Sequence, residues 1–184
     1  MMADFEKSQL VIIDIQEKLA AVMPKEVINK LVKRCELLVT TASEFGVPFI
    51  CSEQYPKGLG PTLSSMQSFL GDAKFVEKVA FNCVDEPVFE RCLVKSRPQI
   101  FIMGMEAHIC VLQTALSLLD KGKDVFIVED AIVSRNILNK QNAINRLRQA
   151  GCIITTTESV VFEWIKSADN EVFKKVAGLI KDID

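Results

Sequence analysis

The stretch IFIMGMEAHICVLQTALSLLDKGKDVFIV, residues 100–128, contains one complete structural unit. Its apolar start, Ile100 to Met103, has the length of a strand, and HICVLQTALSLL has the length and apolar content of a helix. Gly122 follows as a residue able to take the left-handed conformation that ends a helix, and DVFIV then opens a second apolar strand. A strand, a helix and a strand in this order predict a right-handed parallel crossover.

The same grammar recurs on both sides. EFGVPFI around Gly46 and QAGCIIT around Gly151 repeat the helix, glycine and strand junction. Strands are read at LVII from Leu10, PFIC from Pro48 and CII from Cys152, with a weaker pattern at KFVEKV from Lys74. Runs apolar on both faces fit parallel strands covered on both sides by helices. After Pro24, residues Ile28, Leu31, Val32, Cys35, Leu38, Val39 and Ala42 recur at spacings of three and four, which is one helical face suited to lie on a sheet. The expectation is an α/β fold, a doubly wound three-layer sandwich of about six parallel strands in the common order 3-2-1-4-5-6, with helices on both faces. At 184 residues the chain is read as one domain, 1–184. Near its end, Val172, Phe173, Val176, Ala177 and Ile180 predict a helix that covers either the core or a neighbouring subunit.

Composition narrows the functional classes. Apolar residues make up 49% and charged residues 25%, the profile of a globular protein. The net charge is -2 and the 22 basic residues are scattered, which argues against a nucleic-acid partner. No apolar run approaches the roughly 18 to 20 residues of a membrane span, and MMADFEKSQL lacks the regions of a secretory signal, so a cytoplasmic protein with no membrane partner is expected. Six cysteines lie singly, without the CxxC spacing of a zinc site or a redox pair, and a disulfide framework is not expected.

In doubly wound sheets, ligands bind beyond the carboxyl ends of the strands, where the strand order reverses. That rule brings Asp14, at the end of the first strand, beside GMEAHIC after the Ile100 strand. An acid following four apolar residues is costly to bury unless it is hydrogen-bonded or paired, although Asp14 can also be read as the cap of the next helix. Cys110 lies near the start of a helical segment, where free N–H groups and the helix dipole favour a thiolate. Only position separates it from the other five cysteines. His108 is the sole histidine, but two residues apart on a helix point in different directions, so Asp14 is the better candidate base. A carboxylate and a thiolate together call for a cation, and Lys78 ends the strand pattern FVEK.

The three motifs, DIQ at residues 14–16, EKVAFNC around Lys78, and GMEAHICVLQTAL at residues 104–116, resemble those of the isochorismatase-like cysteine hydrolases. The resemblance covers nearly the whole chain in order, and its most specific part is a glycine six residues before the cysteine with TA four residues after it. EQYPKGLGPT further resembles the subgroup of isochorismatase-domain-containing proteins. The resemblance implies a homo-oligomeric, amidase-type hydrolase of small molecules. In it Asp14 accepts the thiol proton of Cys110, Lys78 stabilises the charged pair, and Cys110 attacks an electrophilic carbon. It also implies a non-proline cis peptide between Met105 and Glu106, with backbone donors near Ala107 and Cys110 for a developing oxyanion.

Metal-dependent members of that superfamily carry an Asp and two His after the second strand. Here SEQYPKG offers Glu53 and Tyr55 instead, so no metal and no cofactor is expected. Gln16, Glu53, Tyr55, Glu106 and His108 are the polar groups expected around the substrate pocket, and the PKGLGP loop is expected to shape its mouth or to remain a plain solvent loop. Two other classes stay open: a non-catalytic oligomeric scaffold, and a thiol-redox protein in which another cysteine, Cys83 first, resolves Cys110.

Overall fold

A computed structural model of the chain describes residues 1–71 and 73–183. Its strands are β1 Ser8–Ile13, β2 Phe49–Gln54, β3 Lys74–Lys78, β4 Gln99–Met105, β5 Asp124–Val133 and β6 Ile153–Thr155. They form one parallel sheet in the order β3-β2-β1-β4-β5-β6. This is the doubly wound order expected from the sequence.

Alternation of side chains along each strand divides the apolar residues between two cores. Leu10, Ile12, Phe101, Met103, Phe126 and Val128 enter one, while Val11, Ile13, Ile100, Ile102, Val125 and Ile127 enter the other. Helices Lys25–Glu44, Thr157–Ile165 and Glu171–Asp182 cover the first face, and helices Leu112–Asp120 and Ile137–Ala150 cover the second. Leu31, Cys35, Leu38 and Ala42 form the buried stripe that seats the long helix on the sheet. The C-terminal helix lies against that same helix, with Val176 buried, Lys33 Nζ donating to the Asp182 carbonyl and Lys175 paired with Glu44 at 2.5 Å. It therefore closes this chain's own core.

Two local readings change. β5 runs ten residues, past the apolar segment DVFIV, because its pairing with β4 slips from Ile102↔Ile127 to Gly104↔Ile132. The slip accommodates Glu129 and Asp130, whose charges end the apolar pattern, and Asp130 Oδ1 accepts from the backbone N–H and hydroxyl of Thr157. The segment HICVLQTALSLL is likewise not one uniform helix. A π-type turn, Ala107–Val111, precedes the α-helix Leu112–Asp120.

β1 lies at the reversal point, between β2 and β4. Gly104 sets how closely β4 approaches it: at φ 121°, a Cβ there would meet the Ile13 carbonyl oxygen at 2.0 Å. Only glycine fits, and the close approach brings the residue after β1 next to the turn after β4. Among the described residues no helix is long and apolar enough to cross a membrane.

Candidate active site

Asp14 follows β1 directly and has φ 51°, so the chain turns as it leaves the sheet. Its side chain is fully buried, Oδ1 accepts from Ser52 Oγ at 2.8 Å, and Oδ2 accepts from Lys78 Nζ at 2.7 Å. Lys78 is the last residue of β3, so β2 separates the two. Residues two apart on a strand share a face, and β2 uses that periodicity to offer Ser52 to Asp14 and Gln54 to Lys78. Gln54 Oε1 accepts from Lys78 Nζ at 2.6 Å, with the Ala80 and Phe81 carbonyls at 3.3 and 3.2 Å. Burial works against the charge on Lys78, but the Asp14 carboxylate holds the ammonium above the ordinary lysine range.

Cys110 sits in the π-type turn after β4 and lines a cavity of about 90 Å³ with Leu19, Gln54, Leu59, Phe81, Glu106 and Ile109. Burial pushes its thiol up to about 12, the adjacent Asp14 carboxylate adds to the rise, and Lys78 opposes it. This reverses the expectation of a helix-stabilised thiolate. Desolvation and a neighbouring negative charge both hold the proton on sulfur, so the resting group is a thiol facing a carboxylate.

The polar groups expected around the pocket separate. Glu106 lines the cavity, with Oε2 accepting from the Arg135 backbone N–H at 3.0 Å and Oε1 at 3.7 Å from Arg135 Nε. Gln16 does not line it. Its amide donates to the carbonyls of Gln54 and Gly60 and accepts from the Gln54 N–H, so it ties the loop after β2 to the loop after β1. Glu53 alternates away from Gln54 and accepts from the N–H and hydroxyl of Thr62, each at 2.7 Å. Tyr55 is 54% exposed and lines a neighbouring surface groove with Lys57, Glu77 and Val79. His108 turns toward the loop after β5, with Nδ1 3.0 Å from Ser134 Oγ and Nε2 3.4 Å from Asn139 Nδ2. None of these four groups lines the cavity.

Sequence reasoning missed Ser52 and Gln54, although two polar residues at alternate positions ending an apolar strand were a usable signal. It also missed Leu19, Leu59, Phe81 and Ile109, which carry no chemical mark. The PKGLGP loop does reach the site, through Leu59. Thr114, within the TA motif, accepts from the Cys83 N–H at 3.0 Å and so holds the segment after Lys78 against the helix after Cys110. Cys83 is buried with Sγ 3.6 Å from Ser52 Oγ, and all six cysteines are free thiols. The Met105–Glu106 peptide bond is cis. Among the described residues, no group of three or more His, Cys, Asp or Glu is arranged to hold a metal ion.

Comparison with known proteins finds similarity over nearly the whole chain. The isochorismatase domain model matches residues 8–159, which span every strand and all the residues above. Isochorismatase family protein 1B of Dictyostelium discoideum is 36% identical over 181 residues, covering 96% of this chain and 87% of that protein. A solved structure described as MAR1 ribonuclease from Caenorhabditis elegans is 32% identical, with a TM-score of 0.91 over 98% of this chain and 93% of that one. The YcaC gene product of Escherichia coli, described as an octameric hydrolase of unknown specificity, shares the fold at 22% identity and a TM-score of 0.85, over 99% of this chain and 96% of that one. By its match to the domain model and to these relatives, the chain belongs to the isochorismatase domain family.

Proposed function

We propose that the protein is a cysteine hydrolase of the amidase type, with Cys110 as nucleophile, Asp14 as proton acceptor and Lys78 as the cation that balances them. One observation carries the reading: the Asp14 carboxylate contacts the Lys78 ammonium at 2.7 Å and also neighbours the Cys110 thiol. A high thiol pKa suits a nucleophile deprotonated only as it attacks, with Asp14 taking the proton in the same step.

The Cys110 sulfur forms a bond to the substrate carbonyl carbon, and the carbonyl π electrons move to oxygen. Backbone N–H groups near Ala107 and Cys110 donate to that oxyanion, while those of Ile109 and Val111 are held by the Glu106 carbonyl. Collapse breaks the carbon–nitrogen bond, and the leaving amine or ammonia takes the proton from Asp14. Water then attacks the thioester carbon and gives a proton to Asp14. A second collapse releases the carboxylic acid and returns the proton to Cys110. Lys78 keeps its charge throughout, so the pocket alternates between one carboxylate and one neutral acid beside a fixed cation.

Family membership and the octameric description of the Escherichia coli fold neighbour support a homo-oligomer. The name of the Caenorhabditis elegans neighbour invites a ribonuclease reading. Phosphodiester binding draws on uncommitted Lys and Arg side chains, whereas Lys78 here is held by Asp14 and Gln54. A small-molecule amide is the better fit.

The test is amine or ammonia release from a panel of small amides, with acid quenching and intact-mass analysis to trap an acyl group on Cys110. Wild type should release amine and show the adduct, and Cys110→Ala should do neither. Hydrolysis that survives in Cys110→Ala would remove the nucleophile assignment.

A further inference from the structure

The cavity over Cys110 is small, largely apolar and short of available cations. Taken together, these features define what can enter it. At about 90 Å³ the cavity lies well below the roughly 300–1,000 Å³ of drug-sized ligand pockets, so it seats only a small group beside the reacting carbon. Leu19, Leu59, Phe81 and Ile109 form its apolar walls. They suit a short alkyl or vinyl group and leave a charged one without a partner.

The polar atoms nearby are already committed. Gln54 Nε2 donates to the Val79 carbonyl at 2.7 Å while its oxygen accepts from Lys78. Lys78 Nζ is surrounded by four acceptors, those of Asp14, Gln54, Ala80 and Phe81. Arg135 sits behind Glu106 with its side chain 60% exposed, so it answers the Glu106 charge from the solvent side. The charge on the cavity wall is the Glu106 carboxylate, and the charge beside the thiol is Asp14. Like charges in a desolvated pocket disfavour a second anion.

We infer that this site selects short, uncharged acyl compounds and rejects those carrying a carboxylate, with Glu106 as the specificity-determining charge. The inference rests on the proposed cysteine hydrolase reading, since it describes the substrate of that site. Its consequence is that the natural substrate is a simple aliphatic amide or a close uncharged relative.

Iodoacetamide and iodoacetate test the charge rule directly, because they are nearly the same size and differ by one carboxylate. In each case the Cys110 sulfur displaces iodide, a C–S bond replaces the C–I bond, and the thiol proton passes to Asp14. Rates of Cys110 labelling, read by peptide mass spectrometry and divided by the rate of each reagent with N-acetylcysteine, should favour iodoacetamide at least tenfold. Glu106→Gln, which keeps an acceptor for the Arg135 N–H, should narrow that ratio at least threefold. N-benzyliodoacetamide should label wild type at no more than a tenth of the iodoacetamide rate and gain in Leu59→Ala. The wild-type comparison needs no variant to fold.

Equal or faster corrected labelling by iodoacetate, or equal labelling by the benzyl reagent, would overturn the inference. So would native Cys110 that resists every reagent yet reacts in urea. Charge-selective labelling without amide turnover would sink the hydrolase reading alone. Amide turnover with no charge discrimination would sink this inference alone.

Discussion

Lys78 Nζ and Asp14 Oδ2 lie 2.7 Å apart with both side chains fully out of solvent, and they reach each other across β2. Such a pair is costly to form but more costly to break on one side, because the survivor is left as an uncompensated buried charge. Lys78→Met should therefore destabilise the protein by about 3–5 kcal/mol in urea unfolding, and adding Asp14→Asn should restore most of the loss. A single-variant cost below about 1 kcal/mol would mean that the pair is not desolvated in solution.

Asp14→Asn separates stabilisation of the thiol from catalysis. Asn tolerates the left-handed backbone at φ 51°, so the fold should persist. Burial first and the Asp14 carboxylate second hold the Cys110 thiol near 12, against the pull of Lys78. Without the carboxylate the Cys110 titration should move down, read as thiolate absorbance near 240 nm relative to Cys110→Ala, while turnover falls about 100- to 10,000-fold. A titration that stays in place or rises would contradict this account of the site.

Gly104→Ala should be among the most damaging single-methyl changes in the chain. The added Cβ would lie 2.0 Å from the Ile13 carbonyl oxygen at a positive φ, so β4 must move away from β1. Expected outcomes are insoluble expression or a loss of several kcal/mol in unfolding free energy. Gly122→Ala, with nothing within 4 Å of its Cβ, serves as the control, in which only backbone strain is added.

Alkaline pH should unfold the protein through its buried thiols. Burial raises Cys35 well above the ordinary thiol range and Cys51 to about 12. Below about pH 9 both folded and unfolded chains keep these protons, and the full stability is present. Above that, the unfolded chain loses protons that the folded chain retains, so stability falls with pH by about 1.4 kcal/mol per unit per thiol. Cys35→Ala should flatten the urea-midpoint profile between pH 9 and 11, even if it lowers the starting value. An unchanged slope would show that this thiol does not titrate differently on folding.

His108→Ala should change turnover by less than about tenfold, since a working general base is worth 100-fold or more. Its ring faces Ser134 and Asn139 rather than the cavity. A loss as large as that of Asp14→Asn would make His108 part of the chemistry and displace Asp14 as the base.

The legible parts of this protein were those written within a few residues. Apolar runs of strand length, a helical stripe from Ile28 to Ala42, and glycines at 46, 122 and 151 are local patterns, and the structure has strands, helices and positive-φ glycines there. An acid ending an apolar strand marked Asp14 in the same way. Cys110 and Lys78 had no such local mark and were singled out by motif and by chemical need.

What the sequence by itself determined, then, is the alternation of strands and helices and the presence of an acid where the first strand leaves the sheet. Tertiary structure alone decided that Ser52 and Gln54 stand between Asp14 and Lys78, because only the sheet order puts β2 between β1 and β3. It also decided that Gln16, Glu53 and His108 bond away from the cavity, and that Cys110 rests as a thiol. The physical reason is range. Backbone preference and periodicity act over one or two turns, whereas desolvation and charge at a site are summed over groups that the fold brings from 38 or 64 residues away.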